Sequence, residues 1–131
     1  MKLMMAFGVT PKNPEPPPSI RPLIDMASDI HVMSPSLVSP LQWLTGEVDQ
    51  ARRTADKRLA TVLGALEPTE ATITTSRGEE LLRGAFGEVI ETFRPDHLVV
   101  VIAVGDSLWR RHHVLDHLVD DYRLPLTVVT A

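Results

Sequence analysis

The sequence predicts an α/β domain built on one open, parallel, five-stranded sheet with helices on both faces. Three observations predict it. First, Leu98-Val-Val-Val-Ile-Ala-Val104 is a run of seven apolar residues between Pro95-Asp96 and Gly105-Asp106. It has no period of two. A strand that shows water neither face reads this way, as in a parallel sheet covered by helices on both sides. The run is too short for a bilayer, which needs about 20 apolar residues. Second, strand-like and helix-like patterns alternate from end to end, which calls for a parallel sheet with right-handed crossovers. Third, 131 residues without an internal repeat suit one domain spanning 1–131.

The elements follow in order. Lys2 to Val9 is an apolar run with the length of a buried strand. Thr10 to Ser19 contains Pro11, Pro14, Pro16, Pro17 and Pro18. Proline has no amide donor and a fixed φ, so 11–19 is a stiff, extended loop inside the domain. Pro11-x-x-Pro14 formally matches a PxxP ligand, a match that any proline-rich loop produces. Ile20, Leu23, Ile24 and Ala27 fall at helical spacing, with Pro22 in the first turn. Asp29 to Met33 is a short strand, ended by Ser34-Pro35, and His31 within it reads as a packed or edge histidine.

Ser39-Pro-Leu-Gln42 is a helix-start signature, and Trp43 and Leu44 can pack that turn onto the sheet. After Gly46, Val48, Ala51, Ala55, Leu59, Val62, Leu63 and Leu66 mark the strongest helix. Arg52, Arg53, Asp56 and Lys57 read as its solvated face. Ala71 to Thr75 alternates, as a half-exposed edge strand does. Ser76-x-x-Glu79 is a capping box opening a helix whose stripe is Leu81, Leu82, Ala85, Phe86, Val89, Ile90 and Phe93. Arg94-Pro95-Asp96 stops it before the Val-rich fourth strand. A last helix runs from about Leu108 to Tyr122, and Leu126 to Thr130 forms the final strand.

Composition narrows the function. The net charge of −4 argues against nucleic acid or an anionic membrane as partner. The absence of Cys excludes disulfides, thiol catalysis and Cys-ligated metals. Met1 to Val9 has the look of a stunted signal peptide but lacks a small-residue cleavage site, so a cytoplasmic protein is expected. Ligands in open α/β sheets bind beyond the carboxyl ends of the strands, where the strand order reverses. That rule puts Gly8, Thr10, Gly105, Asp106 and Ser107 around a candidate cleft between the first and fourth strands.

The alternation, the Arg94-Pro-Asp-His97 lead into a Val-rich strand and the ending Leu124-Pro-Leu-Thr-Val-Val129 together resemble the universal stress protein family. His31-Val-Met-Ser-Pro35 and Ala51-Arg-Arg-Thr-Ala-Asp-Lys-Arg-Leu59 are similar to stretches in a divergent bacterial branch of it. The resemblance runs from about Asp29 onward. It implies a Rossmann-like sheet in the strand order 3-2-1-4-5, a stress or regulatory role, and a homodimer formed through Leu126, Thr127, Val128, Val129 and Thr130. ATP-binding members carry Gly-x2-Gly-x9-Gly-Ser/Thr after the fourth strand, where glycines admit phosphates to the backbone. Here Gly105 matches the first position, but Leu108, Leu118 and Val119 replace the other three. Thr10-Pro11-Lys12 stands where those members have an Asp. The resemblance therefore implies a domain without bound ATP or another cofactor.

One arrangement has metal spacing. His113, His117 and Asp120 share a face of the last helix, and a His pair at i and i+4 can chelate a cation. It is not His-Glu-x-x-His, since Val114 follows His113. An exposed helix with charges paired at i and i+4 accounts for the same residues, and no metal is expected. No nucleophile constellation stands out. Ser107 beside Asp106 lacks an evident His, and Trp109 reads as packing. Two functions follow as expectations. The first is a non-catalytic domain acting through self-association or a protein partner. The alternative is a nucleotide- or small-ligand-binding protein using the cleft above Gly105.

Overall fold

The computed structural model describes residues 1–13, 15–35, 46, 48–77, 82–103, 116 and 120–130. Strand β1 (Lys2–Phe7), helix α1 (Arg21–Met26), strand β2 (Asp29–Met33) and helix α2 (Val48–Leu66) come first. Strand β3 (Thr72–Ser76), helix α3 (Leu82–Phe93), strand β4 (His97–Ile102) and strand β5 (Leu126–Thr130) follow. Residues 120–122, just before β5, are helical as well. The strands form one sheet in the order β3-β2-β1-β4-β5, and every pairing is parallel. This is the expected α/β fold, down to its strand order. No described helix is long and apolar enough to cross a membrane.

The middle of the sheet belongs to β1, as the order 3-2-1-4-5 implies, and the Val-rich β4 lies beside it. From β1 the chain adds β2 and then β3 on one side. It then returns to add β4 and β5 on the other. Leu3 through Phe7 are all buried, as are Leu98 through Val101 of β4. Met4, Met5 and Ala6 make β1 less conspicuous in sequence than a run of valines, but its burial is the more complete.

The two faces carry two cores. Leu3, Met5, Phe7, Ile30, Val32, Val99 and Val101 line one face and meet Ile20 and Ile24 near α1 and Val62 and Leu66 of α2. Met4, Ala6, Met33, Leu98 and Val100 line the other and meet Phe86 and Ile90 of α3. Right-handed crossovers require this split, because the walk reverses direction after β3. The proline-rich loop is fixed at its end, where the Pro17 carbonyl accepts from the Ile20 and Arg21 amides and Ile20 is buried.

Boundaries shift where local chemistry intervenes. Strand β1 ends at Phe7 rather than Val9, although the Gly8 amide still donates to the Val101 carbonyl at 2.8 Å. Strand β3 is displaced one residue, to Thr72–Ser76, and is half-exposed as an edge strand should be. Arg94 and Arg123 hold φ of 53° and 52°. Each follows the end of a helical stretch in the left-handed conformation that turns the chain out of a helix. The Ser39-Pro40 helix start, Trp43 and Leu44 lie outside the described residues, as does Glu79.

Two helical glycines differ in their surroundings. A Cβ on Gly64 of α2 would meet nothing within 4 Å, whereas one on Gly87 of α3 would stand 2.8 Å from the Tyr122 hydroxyl. Gly64→Ala should therefore raise stability by about 0.5–1 kcal/mol in urea denaturation. Gly87→Ala should yield less than that or a loss, since Tyr122 must move. Replacing Tyr122 with Leu should narrow the difference between the two alanine variants.

Candidate functional site

The reversal of strand order places a crevice at the carboxyl ends of β1 and β4. Of the expected cleft residues, Gly8 and Thr10 are described. Gly8 is buried and bound to β4 through its amide, while Thr10 is exposed. Gly105, Asp106 and Ser107 lie outside the described residues.

Arg58 is the principal residue that sequence reasoning missed at this edge. Its guanidinium Nη1 donates to Ser34 Oγ at 3.2 Å and lies 3.4 Å from the carbonyl oxygens of Phe7 and Pro35. One helical side chain thus ties the end of β1 to the end of β2. Ser34, which accepts from it, is fully buried. The signal was present in the spacing. Arg58 falls with Ala51, Ala55, Val62 and Leu66 at steps of three and four, on the buried stripe and not on the solvated face. An Arg can occupy such a place by packing its stem and extending its charge to carbonyl oxygens at the edge. Nearby, Arg77 donates to both oxygens of Asp56, at 3.1 and 2.9 Å, and joins the end of β3 to α2.

A second polar group lies on the α3 side of the sheet. His31 of β2 stands opposite Thr74 of β3. Its Nδ1 is 2.8 Å from Thr74 Oγ1, and its Nε2 is 2.8 Å from Ser76 Oγ. The ring tilts against Phe93 at 5.4 Å between centroids. Ser76, read in sequence as a helix cap, is thus the last residue of β3 with its hydroxyl on a histidine. On the opposite face, His97 Nε2 is 2.8 Å from Thr127 Oγ1 and links β4 to β5. Burial holds both rings below the ordinary histidine value of 6.5.

Strand β5 ends the sheet. Leu126, Thr127 and Val129 are half-buried, whereas Val128 is 43% exposed and Thr130 is exposed. Among the described residues its outer hydrogen-bonding edge has no partner strand. Of the metal-spaced trio, Asp120 is helical and exposed; His113 and His117 lie outside the described residues. Among the described residues no group of three His, Asp or Glu side chains is placed to hold a metal ion. An open cleft of about 730 Å³ lies at the amino edge of the sheet, opposite the crevice, with Glu15, Arg21, Asp25, Ser28 and Glu70 among its lining residues. No protein-family model matches this chain, and no curated protein matches it in sequence.

Removing the Arg58 guanidinium leaves the buried Ser34 hydroxyl without its charged donor. Arg58→Met should lower stability by about 1–3 kcal/mol in urea denaturation. A second prediction concerns pH. The unfolded chain binds protons at His31 and His97 more readily than the native fold does, because the folded rings titrate lower. Stability is therefore fully present above the unfolded value of 6.5 and falls as pH drops below it, until the folded rings titrate as well. Urea midpoints should decline from about pH 7.5 to about pH 5.5, and the His31→Gln, His97→Gln double variant should flatten that slope.

Proposed function

We propose that this chain is a universal-stress-protein-like scaffold domain that acts through self-association, in a stress or regulatory role in the cytoplasm, without ATP as a cofactor. The observation that carries the reading is the β5 edge. It combines an exposed Val128 with an uncharged Leu-Thr-Val-Val-Thr strand at the end of the 3-2-1-4-5 sheet. An uncharged, unpaired edge with β-branched residues is a template for another strand. A second copy presenting the same edge extends the sheet across a two-fold axis, which is the commonest way for a chain to associate with itself.

The departure from the ATP-binding pattern supports a scaffold over a nucleotide-binding role. So does Arg58, a cation at the carboxyl edge of the sheet, whose guanidinium is directed to Phe7, Ser34 and Pro35 of the protein itself. The same β5 surface serves a protein partner if a different chain offers a complementary strand.

Sedimentation velocity on the full chain should show a dimer. Val128→Lys should shift it toward monomer by at least a tenfold rise in dissociation constant, since an edge lysine opposes strand pairing. A strictly monomeric parent protein would overturn the self-association reading. Scanning fluorimetry with ATP, ADP, AMP and cyclic nucleotides should leave the melting temperature unchanged. A ligand-induced rise, lost on Gly105→Val, would favour the nucleotide-binding alternative.

A further inference from the structure

We propose that Ser76 is a nucleophile activated by His31 and that it accepts an acyl group from small uncharged esters. This adds a chemical activity that the scaffold reading does not contain, at a place separate from both the crevice and the β5 edge. The geometry begins with the parallel register, which sets His31 opposite Thr74 and Met33 opposite Ser76. Side chains two apart on a strand share a face, so Thr74 and Ser76 stand in one row beside the ring. Both ring nitrogens are engaged at 2.8 Å, Nδ1 by Thr74 and Nε2 by Ser76. When Nδ1 carries the proton and donates it to Thr74 Oγ1, the Nε2 lone pair faces the Ser76 hydroxyl. That is the arrangement of nucleophile, general base and positioning residue used in acyl transfer, with a threonine in the third place. Phe93 limits the ring's rotation from one side.

Access and protonation state both suit the role. Thr72 and Thr74 are exposed, and His31 and Ser76 are half-exposed, so a small molecule reaches the hydroxyl from solvent. Burial lowers the histidine below its ordinary value, which keeps the ring neutral and able to accept a proton at neutral pH. In the step itself, a bond forms from Ser76 Oγ to the acyl carbon while the hydroxyl proton passes to His31 Nε2. Collapse of the tetrahedral intermediate breaks the bond from the acyl carbon to the leaving oxygen, which departs with the proton from His31. Water repeats the sequence in reverse and restores the free hydroxyl.

The test uses p-nitrophenyl acetate on the full chain, with nitrophenol release followed by absorbance and the acetyl group located by peptide mass spectrometry. One acetyl group on Ser76 is expected. Ser76→Ala should abolish that adduct, and His31→Gln should slow its formation at least tenfold, with folding checked by circular dichroism. Thr74→Val should slow it less, as a positioning residue. Acetylation confined to lysines or the amino terminus, or a Ser76 rate indifferent to His31→Gln, overturns the proposal. A second measurement keeps the proposal testable if His31→Gln fails to fold. The Ser76→Cys thiol should react with iodoacetamide at about pH 6 at least tenfold faster than an unperturbed thiol, because a neighbouring imidazole favours the thiolate. An ordinary rate there contradicts activation by His31.

Discussion

The structure depends on the pairing of β1 with β4. These two strands are buried on both faces, so their peptide groups must bond to neighbouring strands, β1 to β2 and β4, and β4 to β1 and β5. The register from Leu3–His97 to Phe7–Val101 supplies that pairing. It is closed at its start by Asp96, whose carboxylate accepts from the Lys2 amide at 2.8 Å and whose own amide donates to the Lys2 carbonyl. It is closed at its end by the Gly8 amide on Val101. Everything else is hung on this pair. Helices α1 and α2 cover one face, α3 covers the other, and the crevice exists because β2 and β4 leave β1 in opposite directions.

The same constraint explains what the sequence made legible. Strands β2 and β5 stand where the sequence puts them, and β4 starts within a residue of its apolar run and ends at Ile102, because burial and parallel pairing select β-branched residues that are easy to see. Strand β1 is legible as a buried apolar run over Lys2 to Val9, but Met4, Met5 and Ala6 make it less conspicuous than a run of valines, and its end at Phe7 is not visible in that run. Arg58 is absent from the apolar stripe read in sequence, because a charged residue is not counted among apolar positions. Its spacing with Ala55 and Val62 told otherwise, and the stem of an arginine is apolar enough to obey that spacing. The partnership of His31 with Thr74 and Ser76 was not readable at all. It depends on the register between two strands separated by a long helix, which no local pattern encodes.

The chain also distributes its polar groups unevenly. At the carboxyl edge of β1 and β2, Arg58 is turned inward to satisfy the fold. Along β3, Thr72, Thr74 and Ser76 form a hydroxyl row facing water beside a neutral histidine. At β5 the edge is apolar and exposed at Val128. Among the described residues both sheet edges, β3 and β5, lack a further strand, and they differ in chemistry: the first is rich in hydroxyls and the second in apolar side chains. The crevice between β1 and β4, where this fold class usually binds its ligand, has Gly8 buried and bonded to β4 on its described side.

The central claim is a doubly buried β1–β4 pair carrying one edge strand, β5, that pairs with another copy. Amide hydrogen exchange on the full chain at a low and a high protein concentration tests both halves together. The amides of β1 and β4 should exchange slowest at either concentration. Those of β5 should slow as concentration rises, while those of β3 stay fast. Rapid exchange across β1, or β5 protection that is indifferent to concentration, would contradict the account.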